Sequence, residues 1–242
     1  MYHNIHLPLV SLSDILHNNV AICEQVNKRC RPLEHFTHYL QQGYYPFGAE
    51  GFATYNQRVE NTVELLLNIE LPQLRKVDIG NIRKLKALLS VLASEVPMLV
   101  DTAKLSTLLG ISRNTLLAYL EYLDEAKLIK RLYSDDLSVK KMQKPDKILM
   151  DNCNLLKVLA LKEPNIGTLR ETFFCNQLGY QHQVEYSKQG DFLIDHQITF
   201  EIGGQAKEGK QVAAVENAYI VADDIEYSYG NKLPIWLFGL LY

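Results

Sequence analysis

Apolar residues fall into three successive patterns along the chain. Over residues 12–74 they recur at helical spacing. "SLSDILHNNVAICEQV" places Ile15, Leu16, Val20 and Ile22 on that period behind Ser11 or Ser13 as N-cap. "PLEHFTHYLQQGYYPF" opens with Pro32 at a helix start and stops at Gly43, and "YNQRVENTVELLLNIELPQL" gives a third helix that Pro72 is expected to end. Residues 1–78 therefore form an all-helical first unit.

Residues 79–133 carry three further helix patterns with short breaks: "GNIRKLKALLSVLASEV", "DTAKLSTLLG" and "SRNTLLAYLEYLDEAKL". Gly110 ends one helix at its C′ position and Ser112 caps the next, the signature of a tight helix-turn-helix. In the last helix Leu116, Leu117, Leu120 and Leu123 fall on one face, which leaves Arg113, Asn114, Tyr119 and Tyr122 to look outward. "KLIKRLYSDDLSVKKMQKPDKILMD" then alternates like a two-stranded wing, so residues 79–150 read as a winged helix.

Beyond residue 151 a helix pattern, "GTLRETFFCNQLGY", is followed by the strand-like runs "VEYS", "GDFLID", "ITFEIGG" and "NAYIVAD" and a final apolar stretch, "LPIWLFGLLY". The whole reads as α+β: a helical N-terminal region over 1–78, a winged helix over 79–150 and an α/β unit over 151–242.

Composition narrows the class. With 47% hydrophobic and 22% charged residues in 242, the chain has the make-up of a globular protein, and no apolar run is long enough to cross a bilayer. Tyr2 to His6 is polar, and Pro8 and Ser11 break the apolar stretch after it, which is no signal peptide, so the expected location is the cytoplasm. Cys23, Cys30, Cys153 and Cys175 form no CxxC pair and read as thiols. The histidine pairs His3/His6 and His35/His38 have no accompanying ligands that would make a zinc site. A net charge of -3 supplies no global attraction to nucleic acid, so DNA binding needs a local basic surface.

The candidate chemistry lies in "GDFLIDHQITFEIGG". If Asp195-His196-Gln197 is a three-residue hairpin loop, Phe192 faces Phe200, Leu193 faces Thr199, Ile194 faces Ile198, and Asp191 faces Glu201. Opposed carboxylates destabilise a hairpin unless a cation lies between them. Mg²⁺, a hard ion that takes oxygen ligands, is the cofactor Asp191 and Glu201 would hold.

A helix acid, a strand Asp and a Glu on the next strand resemble the PD-(D/E)XK nuclease fold, in the version found at the C-terminus of a family of bacterial and archaeal AAA-type ATPases. "LEHFTHYLQQGYYPF" resembles the segment after the ATPase core, "LGISRNTLLAYLEYLDEAKLIKRL" the winged helix, "DKILMDNCNLL" the junction, and "GTLRETFFCNQL" with "GDFLIDHQITFEIGG" the nuclease-like core. The resemblance implies a helical lid before the winged helix. It assigns the catalytic acids to Glu171, Asp191 and Glu201. Where the family has its lysine, two residues after Glu201, this chain has Gly203, and Lys207 or Lys210 must reach back. Three outcomes are open: a metal nuclease, a degenerate nuclease fold used for binding or scaffolding, or carboxylates paired with nearby bases.

The family's ATPase core would precede residue 1, so ATP concerns this chain only if such a core lies outside it. "GGQAKEGKQ" has GxxxxGK spacing at Gly204, Gly209 and Lys210, but Gln211 replaces the Mg²⁺-binding hydroxyl and Glu208 opposes phosphate. In a winged helix, Arg113 and Asn114 would meet base edges and Lys140, Lys141 and Lys144 phosphates. Glu121, Asp124 and Glu125 weigh the other way, and Tyr119 and Tyr122 also suit protein contacts. Two readings stand: a DNA-engaging portion of an ATPase, or a module that docks on an ATPase or on its own copies without nucleic acid.

Overall fold

Local chemistry sets the helix ends. The computed structural model describes residues 5–7, 9–51, 53–75, 79–134 and 144–241. In it Ser11 caps α1 (Leu12–Asn27) with a capping box: its hydroxyl accepts the Asp14 N–H at 3.1 Å, and its own N–H donates to the Asp14 carboxylate at 2.9 Å. After α1 come α2 (Pro32–Gln42), α3 (Tyr55–Leu65), α4 (Leu71–Arg75) and α5 (Ile79–Glu95). Strand β1 (Met98–Leu99), α6 (Thr102–Leu109), α7 (Arg113–Glu125), β2 (Ile129–Leu132) and β3 (Lys147–Met150) are next. Then come α8 (Cys153–Leu159), α9 (Ile166–Leu178) and strands β4 (Val184–Tyr186), β5 (Phe192–Ile194), β6 (Ile198–Gly203), β7 (Ala218–Ala222) and β8 (Lys232–Pro234). A 3-10 turn, Ile235–Leu240, closes the described chain, which is α+β with two sheets.

Pro72 does not end the third helix. It lacks the N–H that would bond four residues back, and the backbone widens into a π segment over Leu66–Glu70 and continues as α4. A proline in the first turn after a π segment is tolerated because the register has already shifted.

Two compact units divide the chain, one of Met1–Gln41 with Leu169–Tyr242 and the other of Gln42–Thr168. The divisions fall at 41/42 and 168/169, away from the expected 78/79 and 150/151, because α1 and α2 share a core with the C-terminal sheet.

In the unit Gln42–Thr168 a three-stranded antiparallel sheet has the order β1-β3-β2, with Ile129 opposite Met150 and Met98 opposite Ile148. Leu85, Leu88 and Leu92 of α5, Leu116, Leu120 and Leu123 of α7, and Ile129, Leu132 and Ile148 of the sheet are all at 0% exposure. Burying each such side chain contributes roughly 1.5–3 kcal/mol. Tyr119 corrects the expected outward face. It lies three residues after Leu116 and four before Leu123, on the buried stripe, and is buried. Tyr122 is half-buried beneath the Arg75 guanidinium, 5.5 Å from its ring centroid.

The same unit joins two stretches distant in sequence. The side-chain oxygen of the fully buried Asn154 accepts the Tyr44 N–H at 2.8 Å and the Tyr55 hydroxyl, and the Tyr45 N–H donates to Tyr55 Oη at 3.1 Å. Asn152 caps α8 by accepting the N–H groups of Asn154 and Leu155 at 3.1 and 2.9 Å. Burial pushes the Asp151 carboxyl above its ordinary value, although Asn152 donates to it.

In the other unit the sheet order is β4-β5-β6-β7-β8, antiparallel from β4 to β6 and parallel from β6 to β8. Phe174 of α9 anchors it, with its ring 5.4, 5.0 and 4.8 Å from those of Phe192, Phe200 and Phe238. Phe36 of α2 meets Phe173 edge-on at 4.8 Å, and the Val10 N–H donates to the Leu240 carbonyl at 3.1 Å. None of the four cysteines is in a disulfide. Among the described residues no helix is long and apolar enough to cross a membrane.

Candidate functional site

The hairpin has the register read from its apolar residues: Phe192 opposite Phe200, Leu193 opposite Thr199 and Ile194 opposite Ile198. Asp195 and His196 both take positive φ, 52° and 59°, and the Gln197 N–H donates to the Ile194 carbonyl at 3.0 Å. This is the primed turn geometry whose twist suits paired strands. The Asp195 carboxylate also ties the tip to the start of β4, accepting the Gln183 N–H at 2.9 Å and lying 2.7 Å from His182 Nδ1.

At the other end of the hairpin the ladder slips. The Asp191 N–H donates to the Phe200 carbonyl at 2.9 Å, and the Asp191 carboxylate accepts the Ile202 N–H at 2.6 Å. One residue earlier, a Cβ on Gly190 would lie 2.9 Å from that same carbonyl oxygen, so the backbone approach requires glycine. Glu201 sits on β6 between β5 and β7 and is 1% exposed. Its Oε1 is 2.8 Å from Lys207 Nζ, while its Oε2 is buried with no hydrogen-bond partner among the described residues.

Lys207, and not Lys210, reaches back. The Lys207 N–H donates to the Gly204 carbonyl at 3.0 Å, and this turn folds the side chain over Gly203. A Cβ at Gly203 would lie 2.7–2.8 Å from Lys207 Cβ, Cγ and Cδ. The lysine stem thus fills the space a side chain at 203 would take. Lys210 is exposed and pairs with Glu208 at 2.8 Å.

Glu171, on α9, is half-buried. Among the described residues no group of three or more His, Cys, Asp or Glu could hold a metal ion, so Glu171 does not join Asp191 and Glu201 as a third ligand. Two carboxylates, each with an oxygen already engaged by an N–H or an ammonium, make a donor set poorer than the six oxygens Mg²⁺ requires.

Arg170 and Asp223 escaped the sequence reading. Arg170 Nε donates to Asp223 at 2.9 Å, with both side chains nearly buried, and a second guanidinium nitrogen lies 3.4 Å from Asp224. The Asp223 N–H donates to the Gly203 carbonyl at 3.0 Å, so this pair closes the end of β6 and β7 beside Lys207. The available signal was an arginine within an otherwise apolar helix face, and a carboxylate ending a buried strand.

The GxxxxGK candidate is a loop. Residues 204–217 link parallel strands β6 and β7 with turns and no helix, which removes the helix N-terminus a phosphate would need. Gly209 has φ 68°, and a Cβ there would lie 2.3 Å from Ile220 Cδ1. Packing demands that glycine.

On α7, Arg113 and Asn114 are exposed at the N-terminus, just after the Ser112 cap, whose Oγ accepts the Thr115 N–H at 3.1 Å. Gly110 takes φ 58° in the preceding turn, and its carbonyl accepts from Lys84 Nζ at 2.9 Å. Asp124 pairs with Arg131 at 3.0 Å and Glu125 with Arg75, which leaves Glu121 as the exposed acid of α7 not paired to a base in this way. The Lys104 N–H that Asp101 accepts in capping α6 lowers the Asp101 carboxyl pKa most, and the charge of Lys144 adds a smaller push in the same direction. Lys140 and Lys141 lie outside the described residues.

Residues 33–165 match the family described as a domain of unknown function, DUF8612, and the chain belongs to that family. No curated protein and no solved structure matches the chain.

Proposed function

We propose that the chain is the C-terminal portion of an AAA-type ATPase, which engages DNA through a winged helix over 79–150 and carries a degenerate PD-(D/E)XK nuclease-like domain at its C-terminus. The observation that carries this reading is the order α5-β1-α6-α7-β2-β3 around a β1-β3-β2 sheet, with Arg113 and Asn114 exposed at the start of α7. A helix presented this way fits the major groove by its N-terminal residues. The acids that would repel phosphate are largely spent: Asp124 on Arg131 and Glu125 on Arg75. The order of the sheet supports the nuclease-like part, with a helix, three antiparallel strands and a fourth strand parallel to the third.

The residues present do not make a full Mg²⁺ cage. On this reading Lys207 provides the positive charge of the site and Asp191 fixes the β6 backbone. ATP enters only through a motor domain outside this chain.

A DNA titration by fluorescence anisotropy across salt concentrations tests the reading. We expect log K to fall with log salt, with a slope about one unit shallower for each phosphate contact removed at Lys144, Lys140 or Lys141. Salt-independent binding, or none, would overturn it.

A docking module that binds an ATPase or a second copy is the second reading, and one observation favours it. A cleft of about 420 Å³ beside α5 and α6 is lined by Val91, Met98, Leu105, Leu108 and Leu161 together with polar residues that include Glu95, Asp101 and Lys104, and Leu108 and Leu161 are 64% and 84% exposed. Sedimentation of the full chain would separate the readings: self-association without DNA affinity supports the second.

A further inference from the structure

The segment between β7 and β8 is anchored at three residues and leaves two tyrosines outside. Trp236 Nε1 donates to the Ile225 carbonyl at 3.1 Å, Asn27 Nδ2 of α1 donates to the Glu226 carbonyl at 3.2 Å, and Ser228 Oγ lies 3.7 Å from Cys23 Sγ of the same helix. Tyr229 and Lys232 then exchange backbone hydrogen bonds, both at 2.9 Å, across a two-residue turn in which Gly230 takes φ 57°. Tyr227 and Tyr229, two residues apart on this fixed backbone, are 51% and 85% exposed. Large aromatic side chains are mostly covered in folded proteins, so a pair held out in this way marks a contact surface.

The free charge around the pair has one sign. Glu226 is exposed, and Asp224 is exposed and held only at 3.4 Å by Arg170, whose Nε is on Asp223. On α1, Val20, Glu24 and Asn27 follow one another at four and three residues and share a stripe, which ends where Asn27 holds the Glu226 carbonyl. Val20 and Glu24 are exposed, whereas Lys28 falls off the stripe by more than a quarter-turn. Among the described residues neither Glu24 nor Glu226 is in an ion pair.

We infer that Tyr227, Tyr229, Glu226 and Glu24 form a docking ridge for a basic, arginine-bearing segment of a partner protein. A guanidinium is planar and weakly hydrated, so it stacks on a tyrosine face while a neighbouring carboxylate takes its N–H groups. A lysine ammonium lacks that plane, and an acidic segment is repelled. Tyrosines on fixed backbone also lose little freedom when a partner covers them. The inference does not rest on the DNA reading, since the ridge belongs to the unit of Met1–Gln41 with Leu169–Tyr242 and α7 to the other.

The test titrates the ¹⁵N-labelled full chain with an arginine–glycine repeat peptide, a lysine–glycine repeat of the same length and an aspartate–glycine repeat. The arginine peptide should shift the amides of residues 224–230 and bind at least about threefold more tightly than the lysine peptide, and the aspartate peptide should leave them unmoved. Tyr227→Ala/Tyr229→Ala should weaken the arginine peptide about tenfold and Glu226→Gln about threefold. Glu60→Gln, the same charge change at an exposed position of α3, should leave its binding unaltered. Equal binding of the arginine and lysine peptides, equal losses from Glu226→Gln and Glu60→Gln, or shifts that avoid residues 224–230 overturn the inference, because they describe a polycation held by net charge alone. Should the tyrosine variant fail to fold, the amide shifts and the peptide ranking in the unaltered protein still decide. Sedimentation of the full chain supplies the remaining outcome: self-association that Tyr227→Ala/Tyr229→Ala abolishes would make the ridge a contact between copies and overturn the basic partner.

Discussion

Asn154 and Glu201 are both buried polar side chains, at 0% and 1% exposure, in different units of the molecule. The Asn154 oxygen is satisfied from two sides, by a backbone N–H and a tyrosine hydroxyl, and it fixes the loop at Tyr44 against the start of α8. Glu201 has one oxygen on an ammonium and the other on nothing among the described residues. A fully bonded buried group is architecture, while a half-bonded one is an opening for chemistry. The two units thus differ in how they treat a buried polar side chain, one closing it off and the other leaving an oxygen unbonded among the described residues.

The widest expected difference tests that contrast directly. Asn154→Leu should cost about 2–4 kcal/mol, because the Tyr44 N–H and Tyr55 hydroxyl are left buried without an acceptor, whereas Glu201→Gln should cost less, because the part-exposed Lys207 can turn its ammonium to water. Urea denaturation of the two variants checks this, and equal losses would erase the distinction.

Gly209→Ala should destabilise the β6–β7 connection by about 2 kcal/mol, since it adds both a left-handed backbone penalty and a clash with Ile220. Loss of that order without any effect on the Asn154 network would show that the units respond separately. Arg113→Ala should weaken DNA affinity by about 1–3 kcal/mol if it reads a base edge, and anisotropy against matched and scrambled duplexes measures it.

The smallest effect concerns Asp151. Burial raises its folded pKa, so the native state holds more protons than the unfolded one between the ordinary carboxylate range and that raised value. Stability should therefore fall as pH rises through this window and stay lower at neutral pH. Asp151→Asn should flatten the dependence and modestly raise the melting temperature at neutral pH, as a pH series of thermal melts would reveal.

Period and turn chemistry carried much of the fold in the sequence. The Gly110–Ser112 turn, the cap offered by Ser11 or Ser13 and the β5–β6 register all come from local rules, because caps and cross-strand pairs are decided within a few residues. Contacts across long separations were less legible. Tyr119 looked exposed because a tyrosine suits either face, and only packing decides. Pro72 looked like a stop because a π segment leaves no mark in composition. The acids Asp124 and Glu125 looked free because Arg131 and Arg75 are brought to them by the fold.

Asp191 and Glu201 come from an expected opposition that the hairpin register, which ends at Phe192 opposite Phe200, does not include, and the choice of Lys207 over Lys210 depended on the turn after Gly203, which no periodicity encodes. Arg170 was hidden for the same reason, since its partner Asp223 lies just past the end of β7, more than fifty residues away.

The partition of the chain has a consequence for how it is made. Helices α1 and α2 are synthesised well before their partners, since the aromatic ring that Phe36 packs on belongs to residue 173, and the carbonyl that receives the Val10 N–H belongs to residue 240. At ordinary translation speeds the whole of Gln42–Thr168 must be synthesised in between, on the order of ten seconds. During that interval the greasy sides of two newborn helices have no native neighbour, and a nascent-chain chaperone would find its binding stretch there.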